Sequence, residues 1–549
     1  MALKFIALSG TTEVTENLYV YEYGNDMIVV DCGVAFPEAG MYGVDLVIPD
    51  FTYIRENKHK LRGIVISHGH EDHLGAVPFL LKEIKAPVYS TRLVAGFIED
   101  KLEDYGMKGI RVNVFSPEND VLAFGNFKLT PFRISHSVPD AVGFAIDTPE
   151  GRIFHVPDYK FDWMPVDGRP FDIGKAARLA SEGVLAVASD CLGATTPGYT
   201  ESEHKIEERI ENVVRDAKKT VFFTTISSNI SRIQQALNVA HRTGRKVAFV
   251  GRSIDRKSEI ARKLGYLKYP QGIVMSRKKI GKLPREKIMY IISGSYGQPG
   301  SSLYRISLGE HDFINVVESD VVIFSGDPAP PGTKVNVDYL VDRLIERNAE
   351  VHYYDMQEDL HVSGHGSQED IKTLFALLKP KFFIPIGGTV RHMHAYKELA
   401  VLMGAKEANV FSLMPGEIVE FKNSNARKAG KVQSKSVLVD GLGIGDVGRV
   451  VLRDRKVLAE EGIAIALIRL GKDDKKLVGK PEIISRGFVF QEKKSNLLEH
   501  AGSELVRSLT KYQNLDTQSV CDLSIDFLEK YFFHETGRRP MILPVVVEI

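Results

Sequence analysis

The stretch GIVISHGHEDHLGAVPFLLKEI, residues 63–84, sets five titratable side chains between an apolar run and an amphipathic segment. The run GIVIS predicts a buried strand, and LGAVPFLLKEI predicts the helix that follows it. Histidines are 16 of the 549 residues, so an HxHxxH spacing arises by chance in roughly one or two such chains per hundred. Imidazole nitrogens and carboxylate oxygens are ligands that Zn²⁺ and Mn²⁺ accept, and one tight loop can aim them at two adjacent ions. The loop therefore predicts a metal site formed by His68, His70, Asp72 and His73.

Two further candidate ligands stand at the ends of later apolar runs. They are His136, in RISHSVPDA, and Asp158, in IFHVPDYKFD. Taken alone, each is more typical of a turn or a cap than of a ligand. A site for two ions needs donors from several strand ends, so beside the 68–73 cluster we expect both residues to bind metal.

Length and composition indicate a globular chain of several domains. Of 549 residues, 44% are hydrophobic and 26% charged, and at roughly 150 residues per domain this predicts three or four domains. Lys plus Arg and Asp plus Glu number 71 each, so a nucleic acid would have to be held by a local basic surface. The three cysteines form no CxxC pair, which favours a reduced compartment. Without a signal-like start or an apolar run near the ~20 residues of a membrane span, the chain is expected to be cytoplasmic, with no membrane partner.

The hydrophobic pattern divides the chain into successive regions. Residues 1–200 alternate β-rich runs with a few helices, which predicts a layered α/β domain. Residues 201–360 alternate helices and strands as in a doubly wound parallel sheet, and residues 361–421 return to a mixed pattern. Residues 422–435 are polar and basic, which indicates a linker. In residues 436–549, a small α+β domain is predicted by the strand-like runs SVLVDG, RVVLRD, IAIALIRL and MILPVVVEI and by helical patterns near 497–511 and 517–533.

The order of the motifs resembles that of the metallo-β-lactamase fold. The matching positions are Asp31 in VVDCG, the HxHxDH cluster at 68–73, His136 and Asp158. Asp190 in SDCLGATTPGYTESE and His365 in HVSGHGSQED resemble the added motifs of the β-CASP nucleases, in which a second α/β domain is inserted into the first.

The resemblance to bacterial ribonuclease J extends over nearly the whole chain. Three late segments are similar to the carboxyl-terminal part of that family: DGLGIGDVGRVVLRDR (440–455), EIISRGFV (482–489) and TGRRPMILPVVVEI (536–549). The resemblance implies an α/β fold, with a metallo-β-lactamase αββα sandwich in two parts, 1–200 and 361–421. It also implies an inserted β-CASP domain at 201–360 and a small α+β carboxyl-terminal domain at 436–549.

The same resemblance implies two divalent ions, with Zn²⁺ expected and Mn²⁺ or Mg²⁺ as alternatives. The first ion would be held by His68, His70, His136 and Asp158. The second would be held by Asp72, His73 and Asp158, which bridges the two ions.

The resemblance also implies the catalytic and phosphate-binding residues. Asp31 would orient a histidine ligand, and Asp190 would be an orienting carboxylate beside the ions, with Asp72 as a catalytic ligand. His365 would contact the scissile phosphate and protonate the leaving oxygen. The neighbouring phosphate-binding positions would be His361, Ser363 and Gly364.

One position departs from the family pattern. Ribonuclease J usually reads PxHGE after the HVSGHG segment, with a histidine that completes the second metal site, whereas this chain reads PIGGT at 385–389. Glycine has no donor side chain, so Gly387 predicts a weakened second site completed by water. His392 and His394, in the following RHMHAY, are candidate substitute ligands. The alternative is that both are surface histidines of an amphipathic helix.

Two turns are candidates for holding the RNA backbone. Ser228 and Asn229 follow the run VFFTTI and precede a predicted helix, where free amides bind anions. The segment SGSYGQPGSS at 293–302 offers a second such turn. By resemblance these turns line a pocket for a 5′-monophosphate, although from spacing alone ordinary β-to-α turns explain them equally well.

The resemblance implies a metal-dependent 5′-to-3′ exoribonuclease with endoribonuclease activity on single-stranded, 5′-monophosphorylated RNA, acting in mRNA decay and rRNA maturation. It further implies a homodimer or homotetramer and contact with other RNA-decay enzymes. Two alternatives stay open. A hydrolase of a small thioester or lactam is disfavoured because such a substrate requires no inserted domain. A weakened or inactive RNA-binding subunit of an RNA-decay assembly would follow if the change to Gly387 were decisive.

Overall fold

The structure is a computed structural model that describes residues 1–549 except 39, 327–332, 355–359, 442, 446, 473–474, 489–493 and 513–514. Contacts within the chain divide it into two units. The first is Met1–Phe36 with Val47–Val437, and the second is Pro37–Leu46 with Leu438–Ile549. Within the described residues, no helix is long and apolar enough to cross a membrane.

The first unit is built on two facing β-sheets. In spatial order, the described strands of the first sheet are Asn425–Lys431, Glu417–Lys422, Leu3–Ser9, Leu18–Tyr23, Asp26–Val30, Leu61–Val65, Val88–Ser90 and Asn113–Val114. Those of the second sheet are Phe382–Ile386, Ala186–Asp190, Gly151–Val156, Val142–Thr148, Phe127–Arg133 and Leu122–Phe124. The two sheets share one apolar core, in which Phe5 and Tyr21 of the first sheet lie with Phe144 and Ile384 of the second. Burial of these inner faces stabilises the sandwich.

Helices pack beside both sheets of the sandwich. Ala176, Leu374 and Tyr396, each from a different helix, form a second core with Phe154 of the second sheet. The helices of the sandwich are Thr52–Glu56, Glu71–Leu74, Val77–Glu83, Arg92–Asp104, Ile173–Ala180, Gln368–Leu378 and Val390–Leu402. Short 3₁₀ turns are Lys58–Lys60, Leu192–Thr195 and Glu407–Asn409, and short strands are Leu46–Ile48 and the pair Thr11–Thr12 and Gly388–Thr389.

A further α/β layer is inserted between the strand Ala186–Asp190 and the helix Gln368–Leu378. Its described strands are all parallel and are ordered Lys246–Val250, Ile288–Ile292, Val221–Thr224, Val321–Phe324 and Glu350–His352. Its helical segments are His204–Asp216, Ile230–Arg242, Arg252–Lys263, Arg277–Ile280, Arg285–Lys287 (3₁₀), Ser302–Leu308 and Thr333–Ile345. The central strand Val221–Thr224 is buried along its whole length, as a parallel sheet covered on both faces requires.

The second unit is a small α+β structure. Its strand Ile463–Leu470 lies between Glu482–Arg486, which is antiparallel to it, and Met541–Glu548, which is parallel. Ala466, Leu505 and Leu528 lie in its core. Its helices are Arg449–Glu460, Lys494–Leu509 and Thr517–Thr536, and the strands Val437–Asp440 and Gly443–Ile444 pair where this unit begins.

Two local predictions are wrong. The run RVVLRD does not form a strand but begins the helix Arg449–Glu460, because the residues after it are mostly strong helix formers. The predicted linker at 422–435 contains the strand Asn425–Lys431, which pairs antiparallel with Glu417–Lys422. It is the outermost strand of its sheet, and an exposed edge strand carries the lysines and arginines that also characterise a linker. The other domain limits stay predictions.

Candidate metal centre

The predicted ligands follow strand ends that meet along one edge of the sandwich. Asp26–Val30 and Leu61–Val65 are parallel neighbours in the first sheet. Gly151–Val156, Ala186–Asp190 and Phe382–Ile386 are parallel neighbours in the second. Since carboxyl ends of parallel strands lie on the same edge, the residues that follow them converge. Those positions are Asp31, the 68–73 loop, Asp158 and Gly387, and they are joined by Asp190, the last residue of its strand.

The first donor group contains the four ligands predicted for the first ion. The ligand atoms of His68, His70, His136 and Asp158 all lie within 4.8 Å of one another. Nδ1 of His70 is 3.1 Å from Nε2 of His136. Oδ2 of Asp158 is 3.6 Å from Nε2 of His68 and 3.7 Å from Nε2 of His136. Four donors of these types suit a tetrahedral Zn²⁺ site.

The electrostatics of the first group also fit a cation. Nε2 of His68 is buried and has no hydrogen-bond partner among the described residues, a costly state unless another group binds it. Burial holds the pKa of His68 and His70 well below the usual histidine range, and it lowers the pKa of His136 to about 4. These imidazoles are therefore neutral near pH 7, the form that binds metal.

The second donor group shares Asp158 with the first and is richer in carboxylate. Asp72, His73 and Asp158 place their ligand atoms within the same 4.8 Å limit. Nε2 of His73 is 3.5 Å from Oδ2 of Asp72 and 3.4 Å from Oδ1 of Asp158. Burial opposes protonation of His73, but Asp158, Asp72 and Asp31 outweigh it and raise its pKa well above the usual value. The group therefore attracts positive charge, either a proton or a metal ion.

Asp31 contacts His73 of the second group directly and His68 of the first group through Ser67. Its backbone is left-handed, with φ +61°, a conformation that aspartate adopts more readily than most residues. Its carboxylate accepts hydrogen bonds from the backbone N and the Oγ of Ser67, both at 2.8 Å, and lies 2.8 Å from Nδ1 of His73. Oγ of Ser67 is 3.0 Å from Nδ1 of His68. Because both Nδ1 atoms are engaged in this way, the Nε2 atoms are directed at the centre.

A third cluster places His365 beside the shared carboxylate. Nδ1 of His365 is 2.7 Å from Oδ2 of Asp190, and its Nε2 is 3.9 Å from Oδ2 of Asp158. Burial opposes protonation, but Asp190 and Asp158 outweigh it and raise the pKa of His365 to about 9. Oδ1 of Asp190 accepts a hydrogen bond of 2.8 Å from the backbone N of Leu192. His365 is thus fixed with a proton-bearing Nε2 facing the ligand groups.

Position 387 faces the second group without a side chain. The backbone of Gly387 is left-handed, with φ +67°. A Cβ atom built there would lie 3.6 Å from Oδ1 of Asp190 and 3.8 Å from Oδ1 of Asp158. A longer side chain at this position would therefore begin next to the carboxylates of the centre, and the glycine leaves this approach open.

The structure does not bring His392 or His394 to the centre. Nδ1 of His392 accepts a hydrogen bond of 3.1 Å from the backbone N of Thr389 and caps the helix Val390–Leu402. The side chain of His394 is 73% exposed and lies 3.4 Å from Glu398, one turn along the same helix. Neither residue joins a metal-compatible group in the described part of the chain. Helix capping and contact with solvent already account for both side chains, which favours the alternative that they are histidines of an amphipathic helix.

The segment around His365 is fitted closely to the centre. The carbonyl oxygen of Gly364 lies 2.8 Å from Nδ1 of His136, and a Cβ at Gly364 would lie 2.5 Å from that imidazole ring. Oγ of Ser363 accepts a hydrogen bond of 3.0 Å from the backbone N of His365. His361 lies apart from the donor groups found in the described residues, beside Arg232 and Glu203. Burial, assisted by Arg232, lowers the pKa of His361 to about 3, so it contributes no positive charge near pH 7.

The predicted backbone-binding turn begins the helix Ile230–Arg242. The side chain of Asn229 caps this helix by accepting a hydrogen bond of 2.9 Å from the backbone N of Arg232, and Ser228 is buried. Oγ of Ser227 lies 2.9 Å from Oγ of Ser253. A role for Ser228 and Asn229 in binding phosphate stays a prediction.

Sequence reasoning missed two residues that contact the donor segments, Asn17 and Lys160. Nδ2 of Asn17 donates to the carbonyl oxygen of Asp72 at 3.1 Å and lies 3.0 Å from Nε2 of His73. Nζ of the buried Lys160 donates to the carbonyl oxygen of Ser363 at 3.0 Å. Neither residue belongs to a recognisable motif. The one available signal was proximity to a ligand for Lys160, two residues after Asp158.

Family models cover most of the chain. Residues 11–170 match the metallo-β-lactamase superfamily, and residues 218–344 match the β-CASP domain of ribonuclease J. Residues 345–411 match the Zn-dependent metallo-hydrolase RNA specificity domain, and residues 450–549 match the ribonuclease J C-terminal domain. These matches confirm the predicted fold class.

Proteins named ribonuclease J are similar to this chain over nearly their whole length. Ribonuclease J2 of Bacillus subtilis (strain 168) is 37% identical, covering 100% of this chain and 99% of that protein. Ribonuclease J 1 of Streptococcus pyogenes serotype M3 is 35% identical, covering 98% and 97%. A crystal structure of a protein of unknown function from Enterococcus faecalis V583 covers 76% of this chain and 100% of its own, with a TM-score of 0.52 and 13% identity. That likeness concerns the fold alone.

The metal-compatible donor groups, the domain matches and the full-length similarity agree with one another. The geometry provides sites for divalent cations beside a proton-bearing histidine, and the family supplies the class of reaction. The chain belongs to the ribonuclease J family of metal-dependent, metallo-β-lactamase-fold ribonucleases.

Proposed function

We propose that this ribonuclease removes nucleotides from the 5′ end of single-stranded, 5′-monophosphorylated RNA and also cleaves internally, in mRNA decay and rRNA maturation. The observation that carries the proposal is the pair of donor groups that share Asp158. His365 lies beside them, with Nδ1 2.7 Å from Asp190 and Nε2 3.9 Å from Asp158. Two cation sites this close suit phosphodiester hydrolysis. A small thioester or lactam substrate would leave the inserted α/β layer without a role.

We propose two divalent ions per chain, with Zn²⁺ favoured in the first group and Mn²⁺ or Mg²⁺ as alternatives. The first group offers three neutral imidazoles and one carboxylate, a set typical of Zn²⁺. The second offers two carboxylates and one imidazole, leaves room at Gly387, and suits a harder or water-completed ion. Bound ions of this kind lower the pKa of water and offset charge that develops on phosphoryl oxygens.

The chain's own residues provide orientation and a proton. Asp31 fixes the rings of His68 and His73 through the contacts described above. His365 holds a proton at Nε2 while its Nδ1 faces Asp190, so it is placed to protonate the leaving 3′-oxygen. The products would carry a 5′-phosphate and a 3′-hydroxyl.

A second candidate function is favoured by one observation, the empty position at Gly387. If three ligands do not retain the second ion, the chain is a weakened or inactive RNA-binding subunit of an RNA-decay assembly. We further propose a homodimer or homotetramer and contact with other RNA-decay enzymes, on the family resemblance alone.

The experiment follows cleavage of a single-stranded RNA bearing a 5′-monophosphate, with a 5′-hydroxyl RNA and a circular RNA of the same sequence as controls. Stepwise release of nucleoside 5′-monophosphates from the first RNA supports the exonuclease proposal. Cleavage of the circle supports endonuclease activity. RNA that is bound but not cut, even with added Mn²⁺ or Zn²⁺, would favour the binding subunit.

A further inference from the structure

Glu71 lies inside the ligand loop but turns away from the ligands. It stands between His70 and Asp72, and its carboxylate pairs with two lysines from different parts of the first unit. Oε2 is 2.5 Å from Nζ of Lys101, in the sandwich helix Arg92–Asp104. Oε1 is 2.9 Å from Nζ of Lys257, in the helix Arg252–Lys263 of the inserted layer. The loop that carries the ligands is therefore tied to the inserted layer by a side chain.

Lys257 is built into this position. It is 9% exposed, and its ammonium also lies 5.3 Å from the ring centroid of Phe97, a cation–π distance. Phe97 packs against Gly69, where a Cβ would lie only 2.9 Å from the ring. Lys257 thus contacts both the carboxylate and the aromatic ring that shape the loop, and burying its charge is favourable only because Glu71 pairs with it.

The rest of the loop is fixed from the sandwich side. The backbone N of Val34 donates to the carbonyl oxygen of Glu71 at 3.1 Å, and the backbone N of Cys32 donates to that of His73 at 2.7 Å. Asn17 donates to the carbonyl oxygen of Asp72. The loop is held on one side by sandwich backbone and on the other by Lys101 and Lys257.

The same inserted layer reaches the second ligand loop. The hydroxyl of Tyr266 donates to the carboxylate of Asp140, four residues after His136. Asp140 is left-handed, with φ +64°, and its carbonyl oxygen accepts a hydrogen bond of 2.8 Å from Thr91. On the same helix as Lys257, Arg256 pairs with Asp100 and Asp104 of the helix Arg92–Asp104. Both loops that supply the first ion's histidines are therefore fastened to the inserted layer.

We propose that Lys257 is a positioning residue for the metal centre: acting through Glu71, it makes metal affinity depend on how the inserted layer docks against the sandwich. By linkage, any displacement that separates Lys257 from Glu71 would lower metal affinity, and a bound ion would favour the docked arrangement. The inference rests on the proposed metal sites and is independent of which RNA is cut.

The test compares Lys257→Met, which keeps the apolar stem but removes the charge, with Lys263→Met on the same helix. Lys263 is 71% exposed and pairs only one turn away, with Glu259. Zn²⁺ affinity of the apoprotein is measured by competition with a chromophoric chelator, without RNA. We expect Lys257→Met to weaken Zn²⁺ binding at least about 5-fold and Lys263→Met to leave it unchanged.

If Lys257 acts through Glu71, the effects of substituting these two residues on Zn²⁺ affinity depend on each other. Glu71→Gln combined with Lys257→Met should weaken Zn²⁺ binding less than the product of the two single effects, and Lys257→Arg should restore most of the affinity. The proposal is overturned if Lys257→Met lowers the melting temperature but binds Zn²⁺ like the parent, which would be a purely structural role. It is also overturned if the single effects multiply. Because no RNA is present, an inactive nuclease would not imitate either result.

Discussion

The two halves of the metal centre share Asp158 but are completed in different ways. The first is surrounded by three imidazoles whose pKa values burial lowers, so they are neutral donors. The second combines carboxylates with His73, whose pKa they raise, and faces Gly387 in place of a further ligand. The same edge of the sandwich therefore has a four-donor group beside a second group that is carboxylate-rich and lacks a side chain at position 387. We expect the second site to lose its ion first when a chelator is added.

The largest effect is expected at the residue that the halves share. Asp158→Ala should lower RNA cleavage by at least about 1,000-fold, because it removes a donor from both groups at once. RNA binding should stay measurable. Cleavage and filter-binding assays check this, with Asp526→Ala, an exposed carboxylate of the second unit, as the control. An Asp158→Ala enzyme that cleaves normally would contradict the assignment of the shared ligand.

His365 lies outside both ligand groups and is expected to act through its proton. His365→Gln should reduce the cleavage rate by about 10²- to 10⁴-fold, the usual contribution of a general acid, while leaving Zn²⁺ content unchanged. Rate measurements at saturating RNA and elemental analysis separate the two roles. Loss of metal from the variant would instead make His365 a ligand.

The metal-free protein gives a pH test of the same residue. The pKa of His365 is raised to about 9 by its carboxylate neighbours, above the value near 6.5 of an unfolded histidine. Its stabilising contribution is therefore complete below about pH 6.5 and is lost as pH rises through 9. Between pH 6 and 10, the melting temperature of the chelator-treated protein should fall more steeply than that of the chelator-treated His365→Gln variant. Parallel curves would contradict the ion pair with Asp190.

Asp31 contacts His73 directly and reaches His68 through Ser67, so we expect it to affect both donor groups, more weakly than Asp158. Asp31→Asn keeps the size of the side chain but weakens the contacts to Ser67 and His73. Supporting partners of this kind typically change metal affinity about 10- to 100-fold. Zn²⁺ titration should show weaker binding at two sites. Weaker binding at one site only would mean that the contact of Ser67 with His68 does not orient the His68 ring.

The smallest effect is expected at Gly387, the position at which the two donor groups differ. Gly387→His and Gly387→Ala should each lower stability by roughly 1–2 kcal/mol, because φ is +67° there. Only the histidine variant should slow release of the second ion, since its side chain begins within 4 Å of Asp190 and Asp158. Thermal unfolding and chelator-release kinetics check both statements. Equal release from the two variants would show that a histidine at 387 does not reach the ion.

The convergence of the donor residues could be predicted because their signals are local or lie at strand ends. The HxHxDH cluster, His136 and Asp158 each follow an apolar run, and the fold brings such ends together. The supports could not be predicted in the same way. Asn17 and Lys257 contact the ligand loop from 55 and 186 residues away in sequence, and nothing local to either residue indicates its partner.

Other differences between prediction and structure arise because one sequence pattern fits two kinds of local structure. RVVLRD has the β-branched residues of a strand but opens a helix, because the residues that follow it favour helix. The basic composition of 422–435 fits both a linker and an edge strand, and pairing with Glu417–Lys422 decides between them. His392 stands near the missing ligand in sequence, yet the start of its helix uses it as a cap.

The most direct test of the central claim is the metal content of protein purified without chelator, measured with cleavage of a 5′-monophosphorylated single-stranded RNA. Two ions per chain and stepwise release of nucleoside 5′-monophosphates are the predicted result. One ion or none, with RNA that is bound but remains uncut after Mn²⁺ or Zn²⁺ is added, would contradict a working two-ion centre and leave an RNA-binding subunit.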